Sequence, residues 1–406
     1  MTTKSAPPDT IGTDVDQVLL PPLSPLLLRA QSSGIREIAT AARLIPGAIR
    51  LDTGEPNFRT PQHIAEAGKD AIDKGLTHYT DTQGILPLRQ ALAEKLERVN
   101  GLRTTPEQVV CGPGGVGVLA AALAALLAPG DEILLPDPGW PNTSIMTMWL
   151  GGKEVRYRCE SSDGFIPDFD QLEALITPKT KVLLINSPNN PTGAVYDDQI
   201  LARLASIATR HNLWVVSDEC YDQILLGGSG AAPSIANFID RDRVVSVFTF
   251  SKTYAMTGWR LGYGVAHADV VESMVKFLSS SSSSISSITQ WAGLAAIIGP
   301  QQCVADMVSA YRRRREIAIT LLREAGLLVS EPKGAFYIMA NVASSGLTGR
   351  QFAFQLLSEM GVSVTPGSAF GEIAESAVRV SLASSDEDLV EGLGRLCEFS
   401  SARSSI

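Results

Sequence analysis

"KVLLINSPNNPTGAVYDDQILARLASIATRHNLWVVSDECY", residues 181–221, carries the pattern that decides the fold. "KVLLINSP" (181–188) and "LWVVSDECY" (213–221) are apolar without alternation, as strands buried on both faces are. Between them, "DQILARLASIATRHN" (198–212) reads as a helix. Strand, helix and strand in that order form a crossover unit whose strands run parallel. "EILLPDPGW" (132–140), "RVVSVFTFS" (243–251) and "RLGYGVA" (260–266) repeat the buried-strand texture. The order argues for an α/β fold, a mostly parallel sheet covered by helices. Ligands of such sheets sit beyond the carboxyl ends of the strands, and the polar residues of interest follow those ends.

A chain of 406 residues suits two domains. With 45% hydrophobic and 19% charged residues it has ordinary globular composition. A net charge of −9 argues against a broad nucleic-acid surface. The five cysteines are scattered without a CxxC, so reduced thiols and a cytoplasmic setting are expected. The four histidines form no metal-ligand spacing, and no metal is expected. No segment is expected to span a membrane; the longest apolar run, "VGVLAAALAALLAPG", stops at Pro129-Gly130. Asp9, Asp14 and Asp16 precede an apolar stretch cut by Pro21, Pro22 and Pro25, the reverse of a secretory signal. Residues 1–25 read as a flexible arm, 61–299 as a large domain, and 26–60 with 300–406 as a smaller α+β domain. Within the latter, residues 301–326 read as one long helix ending at Gly326. Its run Arg312 to Arg315, followed by Glu316, reads as a solvated or interface face, and Ser279 to Ser284 as a flexible loop.

Gly112, Gly114 and Gly117 in "CGPGGVGVL" (111–119) satisfy GxGxxG. A nicotinamide site would want an acid after the next strand, whereas Asp131 and Glu132 stand before it. What remains is a glycine-rich turn opening a helix, which is either a phosphate cradle or a plain tight turn. Asn190 sits in the rigid turn of "INSPNNPTGAVY" (185–196). Asp218 ends an apolar run, where an acid is costly to bury unpaired. Alternation puts Asp218 and Cys220 on one face and Glu219 and Tyr221 on the other, unless the turn brings Tyr221 round. "FTFSKTYAMTGWRLGYG" (248–264) holds Lys252 and Arg260 and no acid. A lysine buried without a partner becomes a neutral nucleophile, whereas an arginine stays charged and wants a planar oxyanion. Singly, these are a turn asparagine, a surface lysine and a structural arginine. Together they suit one ligand, a phosphorylated pyridine aldehyde: the lysine forms a Schiff base and the acid keeps the ring nitrogen protonated.

At this point the chain resembles the class I/II aminotransferases among the fold-type I pyridoxal-phosphate enzymes. The family's "NxxNPTG" stands here as "NSPNNPTG", its "SDExY" as "SDECY" and its "SKxxxxxGxRxG" as "SKTYAMTGWRLG". "DTGEPNFRTP" (52–61), "HYTDTQGILPLRQAL" (78–92), "PDPGWPN" (136–142) and "VRVSLA" (378–383) match in the same order. The resemblance implies a seven-stranded-type sheet between helices and the cofactor pyridoxal 5'-phosphate. It makes Lys252 the Schiff-base lysine and proton shuttle, pairs Asp218 with the pyridine nitrogen, and sets Asn190 and Tyr221 on the phenolic oxygen. Trp140 would stack on the ring, while Gly115, Val116, Thr249, Ser251 and Arg260 would hold the phosphate. Tyr79 would reach the phosphate of the neighbouring subunit, implying a homodimer with shared sites. Arg379 would clamp the substrate α-carboxylate, with Gly54, Asn190 and Trp140 beside it. Val116 departs from the hydroxyl or amide side chain of many relatives, so its contact would be backbone only. Cys220, often a larger apolar residue or alanine in the family, is expected to be a small packed thiol.

The implied activity is ping-pong transfer of an amino group from an L-amino acid to a 2-oxo acid. A carbon–sulfur β-lyase would use the same residues. A non-enzymatic regulator with this body would need a basic DNA-binding segment, and the 53 residues before Gly54 are not basic. No cation is assigned to a distal substrate carboxylate; Arg29, Arg36 and Arg59 are candidates, and Trp140, Phe336 and Tyr337 would equally allow aromatic substrates.

Overall fold

A computed structural model of the chain describes residues 34–404; the arm at 1–25 and Arg29 lie outside the described residues. The strands are β1 (Ile49–Arg50), β2 (Val109–Pro113), β3 (Glu132–Asp137), β4 (Lys153–Glu160), β5 (Ile166–Pro167), β6 (Thr180–Asn186), β7 (Trp214–Asp218), β8 (Val244–Thr249), β9 (Leu261–Val265), β10 (Tyr337–Asn341), β11 (Val362–Ser363), β12 (Thr365–Pro366) and β13 (Ala377–Ser381).

The large sheet has the order β2-β9-β8-β7-β6-β3-β4-β5. Its heart, β4 through β3, β6 and β7 to β8, is parallel. Burial on both faces explains the uninterrupted apolar runs: Leu183, Ile185 and Val215 feed one core, Val182, Leu184 and Val216 the other. β9 departs from the parallel pattern and pairs antiparallel with both β8 and β2. The reason is the short link. Only residues 250–260 separate β8 from β9, and a parallel crossover needs a dozen or more. The consequence is functional, because β9 begins at the sheet edge where β2 and β8 end.

A three-stranded sheet, β10-β13-β12, and the β1–β11 pair lie outside the large sheet. Around them is a separate apolar core that includes Tyr311, Phe336, Phe352 and Val380. The expected long helix spans Gln302–Glu324 and stops before Gly326, whose φ of +69° suits glycine.

Of the two readings of Arg312–Arg315, a solvated or an interface face, the contacts favour the second, while the serine run needs correction. Arg314 is buried, donating from Nε to Asp386 (2.7 Å) and from Nη1 to Asn57 (3.0 Å) and the Leu382 carbonyl (3.2 Å). Arg312 donates to the Leu225 carbonyl and Arg315 Nε to the Pro332 carbonyl (2.6 Å), so the run ties this helix to four other segments. The serine run is only partly a loop: Ser279 to Ser281 complete the helix Ala268–Ser281, and only Ser282 to Ser284 leave it. Serine hydroxyls bonded to carbonyls one turn back, as Ser280 is to Lys276, let polar residues close a helix.

Removing Arg314 would leave Asp386 and the Leu382 carbonyl short of a donor. Arg314→Ala is expected to destabilise the fold by about 2–3 kcal/mol, discounted for the part-exposed Asp386; urea denaturation checks it.

Candidate active site

Each strand end of the large sheet delivers a side chain to one place. β3 leads into Trp140, which precedes the helix Pro141–Trp149. β6 ends at Asn186, whose Oδ1 accepts the Asn190 N–H (2.8 Å) and whose Nδ2 donates to the Asp218 carbonyl (3.0 Å). Asn186 thereby fixes the Asn190 turn against the end of β7. β8 ends at Thr249, whose hydroxyl accepts the Ser251 N–H (3.2 Å) and caps the short helical turn Phe250–Thr253 that carries Lys252. Antiparallel β9 starts immediately after Arg260, and β2 runs into the helix Gly114–Leu126.

These ends enclose a cavity of about 220 Å³. Gly54, Gly115, Val116, Trp140, Asn190, Asp218, Tyr221, Thr249, Ser251, Lys252, Arg260 and Arg379 all line it. The turn after β7 does bring Tyr221 round to the side of Asp218. Tyr79 does not line it: the residue is 91% exposed on the surface of this chain. Arg36 and Arg59 are exposed and do not line it either. Ile35, Leu119, Asn186 and Tyr337 also line the wall. Asn186 was legible as the first asparagine of "NSPNNPTG". Ile35 carries no such signal, since only tertiary packing brings its helix there. Cys220 is a wall residue whose thiol burial holds well above its ordinary pKa, so it is a packed thiol at the site's edge.

Three cations, Lys252, Arg260 and Arg379, share this cavity with one carboxylate, Asp218. Lys252 Nζ donates to the Gly54 carbonyl at 2.6 Å. Asp218 is buried and its Oδ1 accepts the Cys220 N–H at 3.1 Å. Burial pushes its carboxyl pKa up, against the pull of the Cys220 bond and the Lys252 charge. Arg260 has a left-handed φ of +55° and donates through Nη1 to the Thr257 carbonyl (2.9 Å). A Cβ on Gly114 would lie 2.5 Å from Arg260 Nη2, and one on Gly115 2.8 Å from Cys220 Sγ. Glycine there lets the helix N-terminus, with its unpartnered N–H groups, approach both.

Arg379 is 1% exposed. Its Nη1 donates to Asn190 Oδ1 (2.9 Å), and Nη2 to the Asp52 carbonyl (2.7 Å) and Thr365 (3.1 Å). Its Nε is buried without a partner among the described residues. The guanidinium lies 4.2 Å from the Tyr337 ring centre and 5.0 Å from that of Phe370. Every hydrogen-bond partner among the described residues is neutral, so a buried positive charge faces the cavity with no carboxylate bonded to it there. Tyr337 also shares a hydrogen bond with Tyr221 (3.0 Å between oxygens), linking both ends of the site.

Residues 46–396 match the family described as aminotransferase class I and II. Aromatic-amino-acid aminotransferase 2 of Thermococcus litoralis is 39% identical over 378 residues, 92% of this chain and 97% of that protein. The aspartate aminotransferase of Pyrococcus horikoshii is 36% identical over 373 residues, 91% of this chain and 95% of that one. Among solved structures, aspartate aminotransferase from Thermus thermophilus with maleate superposes with a TM-score of 0.89 at 36% identity, covering 94% of this chain and 100% of that one.

Behind the cavity, Glu219 points to the other side of β7. It is buried, and Ser234 and Ser246 donate to its Oε1 at 2.7 and 3.0 Å. Burial raises its pKa from 4.5 to about 7, although the serine hydroxyls pull the other way. Below pH 4.5 the carboxyl is protonated in folded and unfolded chains alike. As pH climbs to about 7, the unfolded chain releases the proton first, so stability falls across that window. Glu219→Gln is expected to abolish this loss, on the order of 3 kcal/mol, in denaturant titrations repeated from pH 4.5 to 8.

Proposed function

The chain belongs to the class I and II aminotransferases, and on that premise we propose that its cavity holds pyridoxal 5'-phosphate and serves an L-amino acid and a 2-oxo acid in turn. The observation that carries this reading is the charge pattern. Three cations and one buried carboxylate converge on a single cavity, where a cofactor phosphate and a substrate carboxylate would balance them. The orphaned Nε of Arg379 and the side-chain-free start at Gly114 and Gly115 fit such a pair of anions.

Lys252 would hold the cofactor's aldehyde carbon, Asp218 its ring nitrogen, Asn190 and Tyr221 its phenolic oxygen, and Trp140 its ring face. The backbone N–H groups of Gly115 and Val116 would take its phosphate, with Thr249, Ser251 and Arg260. When bound, the cofactor supplies an electron sink for the pair left by α-proton removal. The α-carboxylate would sit against Arg379, whose two terminal nitrogens are already set in direction by Asn190, Asp52 and Thr365. Gly54 leaves room beside it, since a Cβ there would come 2.9 Å from the Tyr337 hydroxyl. Lys252 Nζ would take the α-proton from the substrate and hold it for return to the cofactor's aldehyde-derived carbon. Asp218, kept from water by burial, would stabilise positive charge on the ring nitrogen.

Tyr79, exposed on its own chain, would complete the site of a second copy, making the enzyme a homodimer with shared sites. The reading places it in the cytoplasm, with no nucleic-acid or membrane partner; among the described residues no helix is long and apolar enough to cross a membrane. It keeps 61–299 as a large domain and 26–60 with 300–406 as a small one, supported by the separate core around Tyr311 and Phe352. The relatives reported above carry aminotransferase names and lend the carbon–sulfur lyase no support.

Adding single amino acids to the purified cofactor-loaded protein should bleach its visible absorption without ammonia release. Ammonia release in step with the bleaching would replace transfer by elimination. Lys252→Ala should retain bound cofactor yet lose at least about 100-fold in turnover, and near-normal turnover would sink the assignment. Arg379→Ala should cut kcat/KM by about 100-fold, chiefly through KM; an unchanged steady-state KM would remove Arg379 from the substrate site.

A further inference from the structure

We propose that Lys95 is a positioning residue that sets Tyr221 in the active site by gripping the next residue, Asp222, in a buried ion pair. The proposal rests on the reading that Tyr221 touches the cofactor. Lys95 Nζ stands 2.6 Å from Asp222 Oδ2, and the two side chains are only 4% and 5% exposed. Lys95 also donates to Asn100 Oδ1 (2.9 Å) and the Tyr263 hydroxyl (3.1 Å), so each of its three N–H groups has a partner. Asn100 Nδ2 returns a bond to Asp222 Oδ2 (3.1 Å).

Local backbone geometry makes this possible. In an α-helix, positions five apart diverge by about 140° around the axis. Here the helix Leu86–Lys95 continues into a wider π-helical turn, Leu96–Asn100, which brings Lys95 and Asn100 onto one face. The turn ends at Gly101 with φ +69°.

Such a pair is a poor way to gain stability, because an apolar pair of the same shape commonly serves as well. What it does supply is direction. Tyr221 is held at both ends: its phenol by the Tyr337 hydroxyl, and its backbone through Asp222. Asp222 is further fixed by its N–H to the Glu219 carbonyl (3.0 Å) and its carbonyl to the Ala232 N–H (2.7 Å). The ring meets Phe336 edge-on, with centres 5.3 Å apart. Tyr221 itself faces Tyr337, Arg379 and Cys220, while Asp222 and Lys95 face Glu219, Tyr254 and Tyr263.

The test pairs Tyr221→Phe with the charge-free double variant Lys95→Met/Asp222→Leu. Denaturation of the cofactor-free proteins reads stability. The pH midpoint of the bound cofactor's visible absorption reads the Tyr221 contact, and kcat/KM reads the outcome. The double variant should be as stable as the parent, move the midpoint in the same direction as Tyr221→Phe by about one pH unit, and lose about tenfold in kcat/KM. A folded double variant with the parental midpoint and kcat/KM overturns the proposal while leaving the cofactor reading standing. A parental midpoint in Tyr221→Phe overturns the reading of Tyr221 and this proposal with it. Should the double variant not fold, Asn100→Ala keeps both charges and loosens Asp222. A smaller shift in the same direction supports the proposal, and none overturns it.

Discussion

A guanidinium buried against neutral partners alone among the described residues is the constraint around which this site is arranged. Arg379 occupies the middle of β13 and is met by neutral oxygens from three separate segments, at Asp52, Asn190 and Thr365. Two aromatic rings close over it. Those groups solvate the charge and aim it; they do not cancel it. An arrangement of this kind is costly unless an anion arrives, so the cavity is energetically incomplete by itself. At the other end Arg260, exposed on this chain, backs onto the glycines of a helix start.

Strand direction decides which charges meet. Parallel β3, β6, β7 and β8 all end at one edge, delivering Trp140, Asn190, Asp218 and Lys252. Arg260 reaches the same edge from the opposite sense, because β9 is antiparallel and begins there. A parallel β9 would have carried Arg260 to the far edge of the sheet. The link of residues 250–260 is therefore as much a part of the site as the lysine it contains.

Much of this was legible along the chain. The buried-strand runs located the sheet, and most of the residues singled out by motif, though not Tyr79, Gly112, Gly114 or Gly117, line one cavity. Other features were not. Arg314 reads as one member of a basic run, yet it is buried against Asp386, a partner 72 positions away. Ile35 belongs to the wall only because its helix packs there. Lys95 looks like any helix-end lysine until the wide turn after it brings Asn100 to the same acid.

The sequence by itself determined the α/β architecture and picked out residues that line one cavity. Both depend on local facts: apolar runs without alternation make doubly buried strands, and each motif lies within a short stretch of chain. Only the tertiary structure decided the neutral surroundings of Arg379 and the pairing of Lys95 with Asp222. Those depend on which distant groups share a space too dry to leave them unpartnered, and burial is a property of the folded chain rather than of any segment in it.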